Sequence, residues 1–256
     1  MTASEFVSAS PVAYDAGTAF PASLAVTTPP DARFGDRLLM FVVADARTTV
    51  GAANLNSTTP AGWTLLASQN GGATGNALAP GTTGKIWTYT RRYELDYAEP
   101  TVVVTKSSSI GTESYAAIML AYRPSKPVTD QGGTTQDAAT LVWKYEAIAA
   151  SLGAYDSTIV VLEWRTRSGG TLSGSGPTLP GTNTLRVSES GVTGRYGDLR
   201  IKDTVVTTNY SLVPNPPWTP GGASPITMSS VVMESVTVDE RIPAFLASTS
   251  FFQYSP

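Results

Sequence analysis

Residues 37–44 (RLLMFVVA) and 115–122 (YAAIMLAY) are apolar at almost every position. A strand with one wet face alternates apolar and polar residues, whereas a strand covered on both faces reads as a continuous apolar run. Both segments are therefore expected to be central strands, over Arg37–Ala44 and Tyr115–Tyr122. Lys85–Tyr93 (KIWTYTRRY) alternates instead. Ile86, Thr88, Thr90 and Arg92 fall on one face, and Lys85, Trp87, Tyr89, Arg91 and Tyr93 on the other. Enrichment in β-branched and aromatic residues between turn signals adds strands at Ser23–Thr27, Thr64–Ser68 and Thr101–Lys106.

The polar excursion after the first apolar run ends in Pro60-Ala61-Gly62-Trp63. Proline presets one backbone angle and glycine accepts another that most residues avoid, so the pair makes a tight corner. Trp63 follows at once and is expected to anchor the corner in a core, with Pro60, Gly62 and Trp63 acting together.

Pro124 and Pro127 interrupt the strand pattern, and 131–140 (QGGTTQDAAT) reads as a linker or long turn. A second cycle follows, with strands expected at Ala147–Leu152, Ser157–Arg165, Asn183–Ser188, Asp198–Asp203 and Ile226–Val238. Ser157–Arg165 (STIVVLEWR) takes the role of the first apolar run, although no second PAGW follows it. The expected fold is all-β, an antiparallel β-sandwich of jelly-roll type with two pseudo-repeated halves. Residues 1–128 form the first half, 129–240 the second, and 241–256 an aromatic C-terminal tail. The tail holds Phe245, Phe251, Phe252 and Tyr254, more rings than a solvated terminus needs. Residues 212–225 carry five prolines around Trp218 and read as an extended loop. These five aromatic residues are the expected protein contacts.

Composition narrows the chemistry. The 256 residues contain no cysteine and no histidine. That removes disulfides, zinc–thiolate sites, cysteine nucleophiles and every serine–histidine triad. Only 14% of residues are charged, as suits either a surface partly covered by neighbouring subunits or the Thr/Ser-rich surface of an ordinary β-protein. A net charge of −3 with no basic run argues against nucleic acid. The first residues lack the charged-then-apolar pattern of a signal peptide, and no apolar stretch approaches membrane-spanning length.

Carboxylate pairs are the remaining route to catalysis. Glu94, Asp96 and Glu99 lie at a strand end, where acids are ordinarily solvated. Glu163 is more notable, because it interrupts an apolar strand beside Trp164 with Arg165 and Arg167 nearby. A strand-face ion pair accounts for it more simply than catalysis does. Adjacent Ser125-Lys126 and Lys106-Ser107 would face opposite ways on a strand, and Ser168–Gly176 has no helix after it to bind phosphate. Acid spacing is too sparse for calcium loops. No catalytic residue, metal or cofactor is expected. Trp87, Tyr89, Trp143, Tyr145, Trp164 and Trp218 are candidate sugar-stacking rings.

GDRLLMFVVAD, PAGWTLL, KIWTYTRRY and SYAAIMLAYRPSKPVTD together resemble virion structural proteins of tailed phages of actinobacteria, of the minor-tail-protein kind. The likeness covers roughly residues 20–130, and STIVVLEWRTRSGG through ITMSSVVMESVTV resembles the second half more loosely. The resemblance implies a non-enzymatic β-sandwich made in a host cytoplasm and carried in the virion. Its expected partners are other virion proteins and further copies of itself, with a trimer fitting three-fold tail parts. A tail-tip or fibre-associated component is the first expectation. A capsid decoration protein is the alternative, and a module binding host surface glycan a third.

Overall fold

Fourteen strands and no helix make up the described residues of a computed structural model, which are 3–15, 22–46, 55–71, 83–106, 114–124, 128–137, 157–165, 182–189, 198–206 and 226–235. The fold is all-β, and every strand pairing is antiparallel. The first half contributes β1 (Glu5–Ala9), β2 (Ala13–Asp15), β3 (Ala22–Ala25), β4 (Arg37–Ala46), β5 (Leu55–Ser57), β6 (Thr64–Gly71), β7 (Thr83–Arg92), β8 (Thr101–Lys106) and β9 (Ser114–Arg123). The second contributes β10 (Val128–Asp137), β11 (Ser157–Arg165), β12 (Thr184–Glu189), β13 (Asp198–Val206) and β14 (Ile226–Ser235).

Three sheets result. Sheet A runs β1-β9-β4-β7-β6, with β2 also on β9; sheet B is β3-β8-β5; sheet C runs β10-β14-β11-β13-β12. Sheet A is the middle layer. Leu38, Met40, Val42 and Ala44 of β4 pack with Leu24, Leu55, Val102 and Val104 of sheet B. Leu39, Phe41 and Val43 face the other way, onto Val160, Leu162, Trp164, Leu199 and Ile201 of sheet C. Strand β9 divides in the same manner, with Ala117 and Met119 toward sheet B and Ile118 and Leu120 toward sheet C. Burial on both faces is the physical cause of the continuous apolar runs. In β7, Trp87 and Tyr89 point toward sheet B and Ile86 toward sheet C, the division its alternation requires.

The two large sheets share a strand order. With the short β2 left out, and numbered by chain position within each sheet, both read 1-5-2-4-3. Each also carries a bulge in its last strand, between Leu65 and Ala67 in β6 and between Leu185 and Val187 in β12. A bulge places two successive residues on one face. Leu66 is thereby turned into the core between sheets A and C, and Arg186 reaches Asp203 there. On the other side of this core β10 runs close alongside β6.

One expectation is corrected. Residues 128–137 form a ten-residue strand, not a linker, pairing in unbroken register with β14. Its Gly, Thr and Asp content signals a turn, but the ladder of backbone hydrogen bonds decides the conformation. Strands β1, β2 and β5 also escaped the sequence pattern, being short and flanked by residues without alternation. The segment Ala147–Leu152 lies outside the described residues.

Candidate interaction surface and buried charge clusters

The corner before β6 is a turn closed by the Trp63 N–H donating to the Pro60 carbonyl at 3.1 Å. Gly62 sits at φ 75°, in the region that favours glycine. A Cβ there would lie 2.0 Å from Arg91 Nη1, whose guanidinium donates to the Ala61 carbonyl at 3.1 Å. The glycine thus serves both the turn and the close approach of an arginine. Trp63 is 7% exposed and belongs to the core between sheets A and B. Its ring meets Tyr97 edge-on at 6.5 Å, and Tyr97 meets Tyr93 at 4.8 Å. Arg91 lies 5.4 Å over the Tyr97 ring.

Beside this aromatic stack, the loop 31–36 enters β4. Asp36 is buried and receives Arg123 twice, from Nε at 3.0 Å and Nη2 at 2.9 Å, and the Arg33 N–H at 2.8 Å. A carboxylate taking three donors fixes the loop against the end of β9. The next residues up the loop and the turn after β7 expose Phe34 and Leu95.

Two charge clusters lie deeper. Between sheets A and C, Asp203 accepts from Tyr122 Oη at 3.1 Å and from Arg186 Nε at 2.8 Å. The Arg186 guanidinium covers Phe6 at 4.7 Å, and Phe6 meets Tyr122 edge-on at 5.6 Å. Burial, with the Asp203 charge beside it, drives the Tyr122 phenol well above its ordinary pKa. Tyr122 is therefore a donor throughout the physiological range, holding sheet A to sheet C. Thr158 Oγ1 adds a second stitch, donating to the Ser4 carbonyl at 2.7 Å.

The second cluster is on the opposite face of sheet C. Glu163 pairs directly across the ladder with Arg200, and Arg200 Nε donates to its Oε2 at 2.6 Å. Lys202 Nζ stands 3.5 Å from Oε1. All three are buried. Burial raises the Glu163 carboxyl above its usual range, against the pull of Arg200 and Lys202. The same burial lowers the Lys202 amine. A raised carboxyl is one mark of a general acid, but catalysis also needs a cleft and a second group. Here the carboxylate is held by its own cations, Arg200 and Lys202. The arrangement is an internal ion cluster.

The sequence candidates for sugar stacking separate. Trp87, Tyr89 and Trp164 are core residues, buried and unable to offer a ring face to a glycan. Trp143, Tyr145 and Trp218 lie outside the described residues, as do the contact candidates Phe245, Phe251, Phe252 and Tyr254. Sequence reasoning missed Asp36, Asp203 and Arg186. Asp203 and Arg186 carried no local signal, since Tyr122 and Phe6, which complete their cluster, are distant in the chain. Asp36, directly before the apolar run, was legible only as a turn residue. No family model, no curated protein and no solved structure matches this chain.

Proposed function

We propose that this chain is a non-enzymatic structural component of a tailed-phage virion, acting in the tail tip or its fibres through contacts with other subunits. The observation that carries the reading is how the described residues use their polar chemistry. Asp36, Asp203 and Glu163 are each bound by the chain's own arginines, while Leu95 and Phe34 stand in solvent. Buried charged groups are committed to holding sheets and loops, while two large apolar side chains are left exposed. That is the economy of a protein whose task is contact. The resemblance of residues 20–130 to minor tail proteins supplies the virion setting, and a three-fold assembly would suit it. Duplication of one unit is part of the same reading, supported by the common strand order and the matching bulges of sheets A and C.

The test is copy number per purified virion, by quantitative mass spectrometry against the major capsid protein. A few copies, in a multiple of three or six, is the expected result for a tail-tip part. Hundreds would make it a capsid decoration protein, and none would end the virion reading. Truncation after residue 240 provides a second check. It is expected to leave the fold intact and to prevent incorporation into particles, with thermal melting and particle composition as the two readouts.

A further inference from the structure

Among the described residues, the two most exposed large apolar side chains sit on adjoining segments. Leu95 is 92% exposed and Phe34 62%. The Gly35 N–H donates to the Tyr93 carbonyl at 2.8 Å, and the Tyr93 N–H to the Asp36 carbonyl at 2.8 Å. The loop bearing Phe34 is thus tied to the segment bearing Leu95 by two backbone bonds.

The backbone that carries both side chains is held in place from beneath. Asp36, buried under three donors, fixes the loop. The turn 94–97 is closed by the Tyr97 N–H donating to the Glu94 carbonyl at 3.1 Å, and the Tyr97 ring is wedged between Trp63 and Tyr93. A fixed backbone beneath exposed apolar side chains lowers the ordering cost of binding, which favours a contact surface.

The surrounding charges identify the partner. Phe34 is flanked by exposed Arg33 and by Arg92, whose guanidinium lies 5.8 Å from the ring centroid. Leu95 lies between exposed Glu94 and Asp96, with the Asp96 carboxylate reaching Arg91 at 3.6 Å. Two cations therefore border one apolar residue and two acids border the other. A nucleic acid would be repelled by Glu94 and Asp96, and an acid-rich or base-rich protein would meet one flank of its own sign. A surface with this arrangement complements itself.

We propose that this end of sheet A is a contact surface between copies of this chain, with Phe34 of one copy against Leu95 of the next and Arg33 and Arg92 facing Glu94 and Asp96. The proposal deepens the assembly part of the functional reading by naming the partner and the surface. It does not depend on the virion setting, because a chain that self-associates need not be in a particle, and a particle component need not self-associate through this patch.

The test is sedimentation of the purified full-length chain across a concentration series. The expected mass is two or three chains at high concentration. Leu95→Asp is expected to weaken association by at least about tenfold, in line with the loss of a central apolar anchor. Arg92→Glu and Glu94→Arg are each expected to weaken it by about tenfold, and the double variant to recover most of that loss, because the swap restores opposite charges across the contact. These residues are exposed, so thermal melting of each variant should match the parent and separates misfolding from lost contact. A monomer at every concentration, an oligomer indifferent to Leu95→Asp, or a double variant no better than the singles would each overturn the proposal.

Discussion

Single residues here carry two kinds of cost that can be measured separately. Gly62 combines a positive φ with an arginine 2.0 Å from where a Cβ would sit, so Gly62→Ala strains the backbone and displaces Arg91. The expected loss is about 1–2 kcal/mol, a fall of roughly 2–8 °C in melting temperature for a chain of this size. Loss of less than a few tenths would mean that the corner readjusts freely. Glu163 is a cost of burial. Its carboxyl is raised above the ordinary value of 4.5, so the folded state holds a proton more tightly than the unfolded chain does. The stability this gives is complete below the unfolded value and is lost as pH rises through the raised folded value. Glu163→Gln resembles the protonated form at every pH. The melting temperature of the variant relative to the parent is therefore expected to rise as pH increases from about 4 to 7. A difference that is flat or declines over that range would show that Arg200 and Lys202 outweigh the burial of the carboxylate.

At the scale of elements, the legible strands are those whose pattern has a single physical cause. β4 and β9 are apolar throughout because both faces are covered, and β7 alternates because its two faces meet different sheets. β10 was misread for the opposite reason: its conformation comes from ten paired residues of β14, a partner about a hundred residues away that leaves no mark on the local sequence. The bulges are equally silent in sequence, yet each re-aims a side chain. In β12 the bulge brings Arg186 to Asp203 and over Phe6, so an edge strand of sheet C clamps the edge strand β1 of sheet A. Removal of the acid leaves a cation and a phenol without their shared acceptor. Asp203→Ala is expected to cost about 3–4 kcal/mol in urea denaturation, and Tyr122→Phe about 1 kcal/mol, since the latter removes one bond but leaves the Asp203–Arg186 pair. Equal costs for the two variants would locate the clamp in the tyrosine bond and not in the ion pair.

For the whole molecule, the division at residue 128 cuts the chain into two stretches but does not cut the core. Leu39, Phe41, Val43, Ile86, Ile118 and Leu120 of the first stretch are buried against Val160, Leu162, Trp164, Leu199 and Ile201 of the second. Sheet B covers only the other face of sheet A. Residues 1–127 made alone would present that inner face to water, an apolar surface of the kind soluble monomers rarely leave open. The inner faces of sheets A and C lie on corresponding strands of a common order, so a second copy of the fragment could supply what sheet C supplies in the intact chain. The fragment is therefore expected to aggregate or precipitate beyond the two or three chains expected of the full chain, and Phe41→Lys within it to suppress that excess association. Sedimentation and melting of the fragment beside the full chain decide the matter. A fragment no more associated than the full chain, with a cooperative melt, would mean that sheet A and sheet B form a self-sufficient sandwich and that sheet C is an addition to it. Excess association removed by Phe41→Lys would instead make the inner face the joint on which both halves depend.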